Sequence, residues 1–191
     1  MAWKNDQVSE LETARIVALA RECLVVFGDF VELGCYKGDT SMLLAEVIEN
    51  SDKKLFIYDS FEGLPEKSLS DASEAGRDFV KGALLVTKRE VKARFLRAEM
   101  KLPVIKKAWF NELDSADLPE KIAFAFLDGD LYESICDSLK LVEGKLSERA
   151  VVIIHDYQNE ALPGVAKAVD EWLARNPGHK TEVYQSMMII R

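Results

Sequence analysis

Two aspartates flank a glycine in Leu127-Asp128-Gly129-Asp130-Leu131-Tyr132-Glu133-Ser134, directly after the apolar run Ile-Ala-Phe-Ala-Phe at 122–126. Carboxylates at the end of a buried strand project from its carboxyl edge, and a glycine between them lets a ligand approach the backbone closely. A second acidic strand end follows at Val151-Val152-Ile153-Ile154-His155-Asp156-Tyr157. If the two strands are neighbours in a parallel sheet, Asp128, Asp130, His155 and Asp156 converge on one spot, a donor set suited to a divalent metal ion. Plainer uses compete. Asp130 is also placed to cap a helix beginning at Leu131, and His155 serves as well in packing as in ligation.

The elements that must carry these strand ends follow from periodicity. Apolar residues at helical spacing (Leu11, Ile16, Leu19, Ala20, Cys23) predict an amino-terminal helix within residues 1–27. Phe30-Val31-Glu32-Leu33 reads as a strand entering the turn Gly34-Cys35-Tyr36-Lys37-Gly38, with Asp39 or Thr40 capping a helix through Ile48. Further strands are expected at 54–58, 104–109, 122–127 and 150–154, with helices at 131–146 and 165–174. Residues 66–100 read as helices with polar joints, of which 66–81 should be a mobile flap. Segments 181–184 and 187–190 are too close for a crossover helix and should pair antiparallel. The sum is an α/β fold, a mostly parallel sheet with helices on both faces and a C-terminal antiparallel hairpin, in one domain spanning 1–191.

In such sheets a ligand binds outside the carboxyl ends of the strands. Gly34 lies in the first strand-to-helix turn, where backbone passes close to a nucleotide-like ligand, and Glu32 before it can accept hydrogen bonds from a cationic or hydroxyl group. Asp59 ends the second strand, where a carboxylate can grip both hydroxyls of a ribose. The turn lacks the Gly-x-Gly-x-x-Gly triplet that admits a pyrophosphate. An adenosine ligand without phosphates fits better, and S-adenosylmethionine is the common one.

Val31-Glu32-Leu33-Gly34-Cys35-Tyr36-Lys37-Gly38, Asp59-Ser60-Phe61-Glu62-Gly63-Leu64-Pro65, the Asp128 to Ser134 segment and Ile154-His155-Asp156-Tyr157 together resemble the macrocin O-methyltransferase family, over roughly residues 28–175. The resemblance implies a seven-stranded, Rossmann-like class I methyltransferase fold, S-adenosylmethionine as donor, and a magnesium ion that positions a hydroxyl of a small molecule, a sugar or another vicinal diol. By the same resemblance Glu32 and Gly34 line the methionine part of the cofactor, Asp59 holds its ribose, and Ser60 and Phe61 lie beside the adenosine. Trp109 and Phe110 match an aromatic pair, one ring against adenine. Asp128 and Asp156 are implied as metal ligands and Asp130 as the general base. Two departures stand out. The family usually has an aspartate at the position of His155, and imidazole moves metal preference from magnesium toward manganese, iron or zinc. The segment before the first strand is also shorter than the family's covering extension.

Composition narrows the alternatives. With 48% hydrophobic and 30% charged residues in 191, the chain has the balance of a soluble globular domain, and its amino terminus carries no signal-like apolar region. A cytoplasmic location is expected. A net charge of −8 disfavours nucleic acid and anionic membrane as partners. Three scattered cysteines argue against a disulfide framework. A homo-oligomer is compatible with the sequence. A nicotinamide-dependent oxidoreductase and a relative that binds cofactor without catalysis are the competing readings.

Overall fold

The computed structural model describes residues 7–191, so the first six residues of the expected 1–27 helical segment lie outside the described residues. Helix α1 (Glu10–Glu22) starts where Ser9 and Glu12 form a reciprocal capping box, which satisfies two amides at the helix start. Then come β1 (Asp29–Leu33), α2 (Asp39–Ile48), β2 (Leu55–Asp59), α3 (Lys88–Arg97), β3 (Val104–Lys107), β4 (Ile122–Leu127), α4 (Tyr132–Glu143), β5 (Leu146–Ile154), α5 (Pro163–Arg175), β6 (Thr181–Tyr184) and β7 (Met187–Ile190).

The seven strands form one sheet in the order β3-β2-β1-β4-β5-β7-β6. The first five run parallel, and β7 lies antiparallel between β5 and β6, so the C-terminal hairpin is present as expected. Strand β4 is central and buried on both faces, hence its unbroken apolar run. Its side chains alternate: Phe124 and Phe126 join the core with α1, α2 and α3, while Ala125 and Leu127 join the core with α4 and α5. Among the described residues no helix is long and apolar enough to cross a membrane, and the three cysteines are free thiols.

Several local expectations change. Between residues 66 and 87 the only helical piece is the single turn Leu69–Asp71, and α3 follows at Lys88. Ser68 and Asp71 form a capping box that opens this turn, and the chain leaves it at the extended Ala72 because the segment is held by remote partners, Asp71 accepting from the Tyr132 amide and the Ser73 hydroxyl donating to the Glu160 carbonyl. Helix α2 is preceded by Gly38 in a left-handed conformation, so neither Asp39 nor Thr40 is its cap. Strand β3 stops at Lys107 and not at Trp109, because the chain turns at Trp109 into Phe110–Glu112, with the Trp109 amide donating to Glu112. Strand β5 begins at Leu146, earlier than its apolar run suggests, since Leu146 already pairs with Ile122 across a register shift.

Candidate active site

The parallel ladder continues one residue past the strands. The amides of Gly34, Asp128 and His155 donate to the carbonyls of Tyr58, Leu33 and Leu127, which sets these three residues in a row along the carboxyl edge of β1, β4 and β5. The chain then turns sharply at both acidic strand ends. Asp130 and Asp156 each have φ of 60°, a left-handed conformation that aspartate tolerates better than most residues. A cavity of about 570 Å³ opens over this row, lined among others by Gly34, Asp59, Trp109, Asp128, Asp130 and Asp156.

On one side of the cavity Asp128, His155 and Asp156 offer one ligand atom each, all within 4.8 Å of one another. His155 is buried, and its Nδ1 lies 3.1 Å from Asp128 Oδ1 and 3.2 Å from Asp156 Oδ2. Burial works to lower the imidazole pKa, but the two carboxylates override it and push it up to about 11. Burial likewise works to raise Asp156, and hydrogen bonding from His155 and Asn159 holds it below the usual carboxylate value. Two carboxylate oxygens and an imidazole nitrogen, once the ring gives up its proton, form a donor set that fits a divalent ion. Asp130 stands beside this group and not within it. Burial, followed by the nearby Asp128 and Asp156 carboxylates, raises its pKa well above the ordinary range. It is not the cap of α4: the N-cap position falls on Leu131, whose side chain accepts nothing from the helix amides.

On the other side, Asp59 ties the first two turns together. Its Oδ2 accepts from the amides of Cys35 (2.9 Å) and Tyr36 (3.4 Å), and its Oδ1 from Phe61 (2.7 Å). The same carboxylate lines the cavity. Ser60 also lines the cavity while its hydroxyl accepts from the Glu62 amide, and Trp109 and Phe110 contribute aromatic walls. Two predicted residues do not reach the wall. Phe61 is buried in the core on the α2 and α3 side, at φ 52°, and Glu32 lies beneath the floor. Glu32 accepts a hydrogen bond from Ser41, yet its Oε1 is buried without a partner, and burial pushes its pKa up to about 8. An orphaned carboxyl oxygen directly behind the first turn suits a cofactor that brings a cation there.

The glycines are explained by crowding from neighbouring protein atoms more than by ligand approach. A Cβ on Gly34, at φ 88°, would fall 2.0 Å from the Asp128 carbonyl oxygen, so glycine is what lets the β1 and β4 ends lie together. At Gly129 the same atom would meet Ser134 at 2.8 Å and the Phe110 ring at 3.2 Å. Asn159 is a site residue that the strand-end pattern missed. Its side-chain amide donates to Asp156 Oδ1 at 2.9 Å, and the three-residue spacing after Asp156 is the signal that would have found it. Gln7, Phe79 and Leu84 also line the cavity, brought in from distant segments.

The sheet order with one antiparallel strand, and an acidic cluster beside a nucleoside-type turn, define a class I methyltransferase-like protein. Residues 11–183 match the model of the macrocin O-methyltransferase (TylF) family, and the chain belongs to that family. It is similar to the 8-demethyl-8-(2,3-dimethoxy-alpha-L-rhamnosyl)-tetracenomycin-C 4'-O-methyltransferase of Streptomyces olivaceus, 32% identical over 157 residues that cover 78% of this chain and 59% of that protein. The demethyldecarbamoylnovobiocin O-methyltransferase of Streptomyces niveus is 28% identical over the same shares. The chain thus spans about 59% of the length of these curated relatives. The structure of the O-methyltransferase NovP shares the fold, with a TM-score of 0.77 at 24% identity, over 92% of this chain and 78% of that one.

Proposed function

We propose that this protein is an S-adenosylmethionine-dependent O-methyltransferase acting on a hydroxyl of a small molecule, a sugar or another vicinal diol, with a divalent ion at its site. The observation that carries the reading is the meeting of Asp128, His155 and Asp156 within 4.8 Å at the same sheet edge as Gly34 and Asp59. Family membership and the missing glycine triplet set the nicotinamide reading aside.

When bound, the cofactor supplies an electrophilic methyl group on a sulfonium, and the ion supplies Lewis acidity that lowers the pKa of a hydroxyl. Gly34, Asp59, Ser60, Trp109 and Phe110 would hold the cofactor, with the Glu32 carboxyl beneath its amino-acid end. Asp128, His155 and Asp156 would hold the ion. Asp130 is the group left to take the acceptor hydroxyl's proton onto its carboxylate. Leu64, Pro65, Phe79 and Leu84 wall the cavity and exclude water around the reacting oxygen.

S-adenosylhomocysteine tests the cofactor half. Ligand at a hundredfold excess over its Kd stabilises the folded state by about 2.7 kcal/mol, which for a chain of this size raises Tm by roughly 5–10 °C. Asp59→Ala should abolish the shift, since it removes both the ribose partner and the clasp on the first turn. Stabilisation by NAD with indifference to S-adenosylhomocysteine would overturn the assignment.

The insert 66–100 is the acceptor-side part of this single domain in the same reading, with 66–81 a flap. Its amides should exchange with solvent faster than those of β4 by hydrogen-exchange mass spectrometry of the ligand-free protein. Exchange as slow as in β4 would rule a flap out.

A further inference from the structure

Residues 63–83 form a closed loop. At its neck the Leu64 amide donates to the Ala83 carbonyl (2.8 Å) and the Gly82 amide to the Leu64 carbonyl (2.9 Å). Gly63 has φ 79°, and a Cβ there would sit 2.5 Å from the Ala83 oxygen, so the neck is tightly drawn. From the neck, Leu64 and Phe79 face the cavity. The far end of the loop reaches the opposite side of the site. The Ser73 hydroxyl donates to the Glu160 carbonyl at 2.7 Å, and a Cβ on Gly76 would fall 2.2 Å from the Ala161 oxygen.

Asp71 is the anchor of this contact. The residue is 1% exposed. Oδ2 accepts from the amide (2.9 Å) and hydroxyl (2.6 Å) of Ser68 in its own loop, while Oδ1 accepts from the Tyr132 amide at 2.7 Å. Tyr132 is the first residue of α4, whose preceding residue Leu131 provides no side-chain cap. A carboxylate from 61 positions earlier therefore does the capping, and its charge suits the positive end of the helix. Gly164, in the first turn of α5, makes room for it, because a Cβ there would lie 2.0 Å from Asp71 Oδ1. One carboxylate thus meets the helix that follows Asp128-Gly129-Asp130 and the helix that follows His155-Asp156.

We propose that Asp71 is a positioning residue that locks the acceptor-side loop onto the turn carrying Asp130, an inference that rests on the reading of Asp130 as the base. The turn 129–131 is short, closed by the Leu131 amide on the Gly129 carbonyl at 2.6 Å, with Asp130 left-handed in its middle. Its upstream end is fixed by the sheet. Its downstream end is fixed where Asp71 holds the Tyr132 amide, so freeing that amide lets the Asp130 carboxyl move. The same release loosens Leu64 and Phe79, and wall and base come apart together.

Three variants test the clasp. Asp71→Ala deletes it. Gly164→Ala leaves the loop sequence intact and displaces Asp71 sterically, although alanine ordinarily favours a helix. Asp71→Asn keeps an oxygen for the Tyr132 amide and should restore most of what Asp71→Ala loses. In hydrogen exchange, both alanine variants should speed residues 64–84 and the first turn of α4 together, by about tenfold, with β4 unchanged. In turnover, kcat should fall about tenfold or more while KM for S-adenosylmethionine and the thermal shift with S-adenosylhomocysteine stay near wild type. Faster exchange confined to the loop, or an unchanged kcat, would overturn the clasp. Exchange needs no acceptor, so a wild-type chain that transfers no methyl group would sink the proposed activity while the exchange pattern still decided the clasp.

Discussion

Asp130→Asn is expected to lower methyl transfer by about a hundredfold or more while leaving metal affinity and the S-adenosylhomocysteine thermal shift nearly intact. The substitution is nearly isosteric, and asparagine tolerates the φ of 60° found at this position, so the turn should survive. Basicity is what disappears. Asp130 lies outside the trio of candidate metal ligands, which is why ion binding should not follow activity down. The pH dependence carries the same signature. Burial and the neighbouring Asp128 and Asp156 carboxylates hold the Asp130 proton on to higher pH than in an ordinary aspartate. A base must first lose that proton, so the rate should climb with pH, and a divalent ion held beside Asp130 should bring that climb to lower pH. The stability effect has the matching sign: the folded state favours the protonated form, so its contribution is full below the unfolded pKa and is lost as pH rises through the folded one. Asp130→Asn should remove both the climb in rate and this part of the stability change. Turnover within about threefold of wild type would exclude Asp130 as the base.

Strand β4 and the strand ends around it were legible because burial on both faces leaves no room for polar residues until the sheet ends. The transition from Leu127 to Asp128 therefore marks a solvent or ligand boundary in the sequence itself. The β6 and β7 pair was legible for a similar reason, since too few residues separate them for any other connection. Side-chain direction at the cofactor end was not. Phe61 follows Asp59 and Ser60 in the chain, but its left-handed backbone turns it into the core. Alternation along β1 does not say which residues beneath the first turn reach the cavity, and Glu32 stops short of it. Residues 66–100 read as helices with polar joints, whereas the shape of the loop 63–83 is fixed by partners remote in sequence, above all the Tyr132 amide on Asp71. No local pattern reports a hydrogen bond to a backbone amide 61 residues away.

The metal half of the site gives the second large effect. Asp128 lies between the two other candidate ligands and the cofactor-side turn, so Asp128→Asn should weaken divalent-ion binding and methyl transfer together. The ion can be followed without turnover, by calorimetric titration with magnesium and manganese. His155→Asp is the more discriminating change. The imidazole nitrogen now sits 3.1 and 3.2 Å from two carboxylate oxygens, where it contributes a softer donor and less negative charge than the aspartate the family resemblance implies at this position. A carboxylate there adds an oxygen donor and a negative charge, both of which favour a hard cation, so the ratio of magnesium to manganese affinity should rise. Without an ion, the same variant places three carboxylates around one point and removes the imidazolium between them, so it should also melt lower than wild type in chelator and regain stability as magnesium is added. An unchanged metal preference would put His155 outside the coordination sphere, leaving Asp128 and Asp156 to bind with solvent or acceptor oxygens. Full activity in chelator would remove the ion from the reaction and leave Asp130 as the sole group acting on the acceptor hydroxyl.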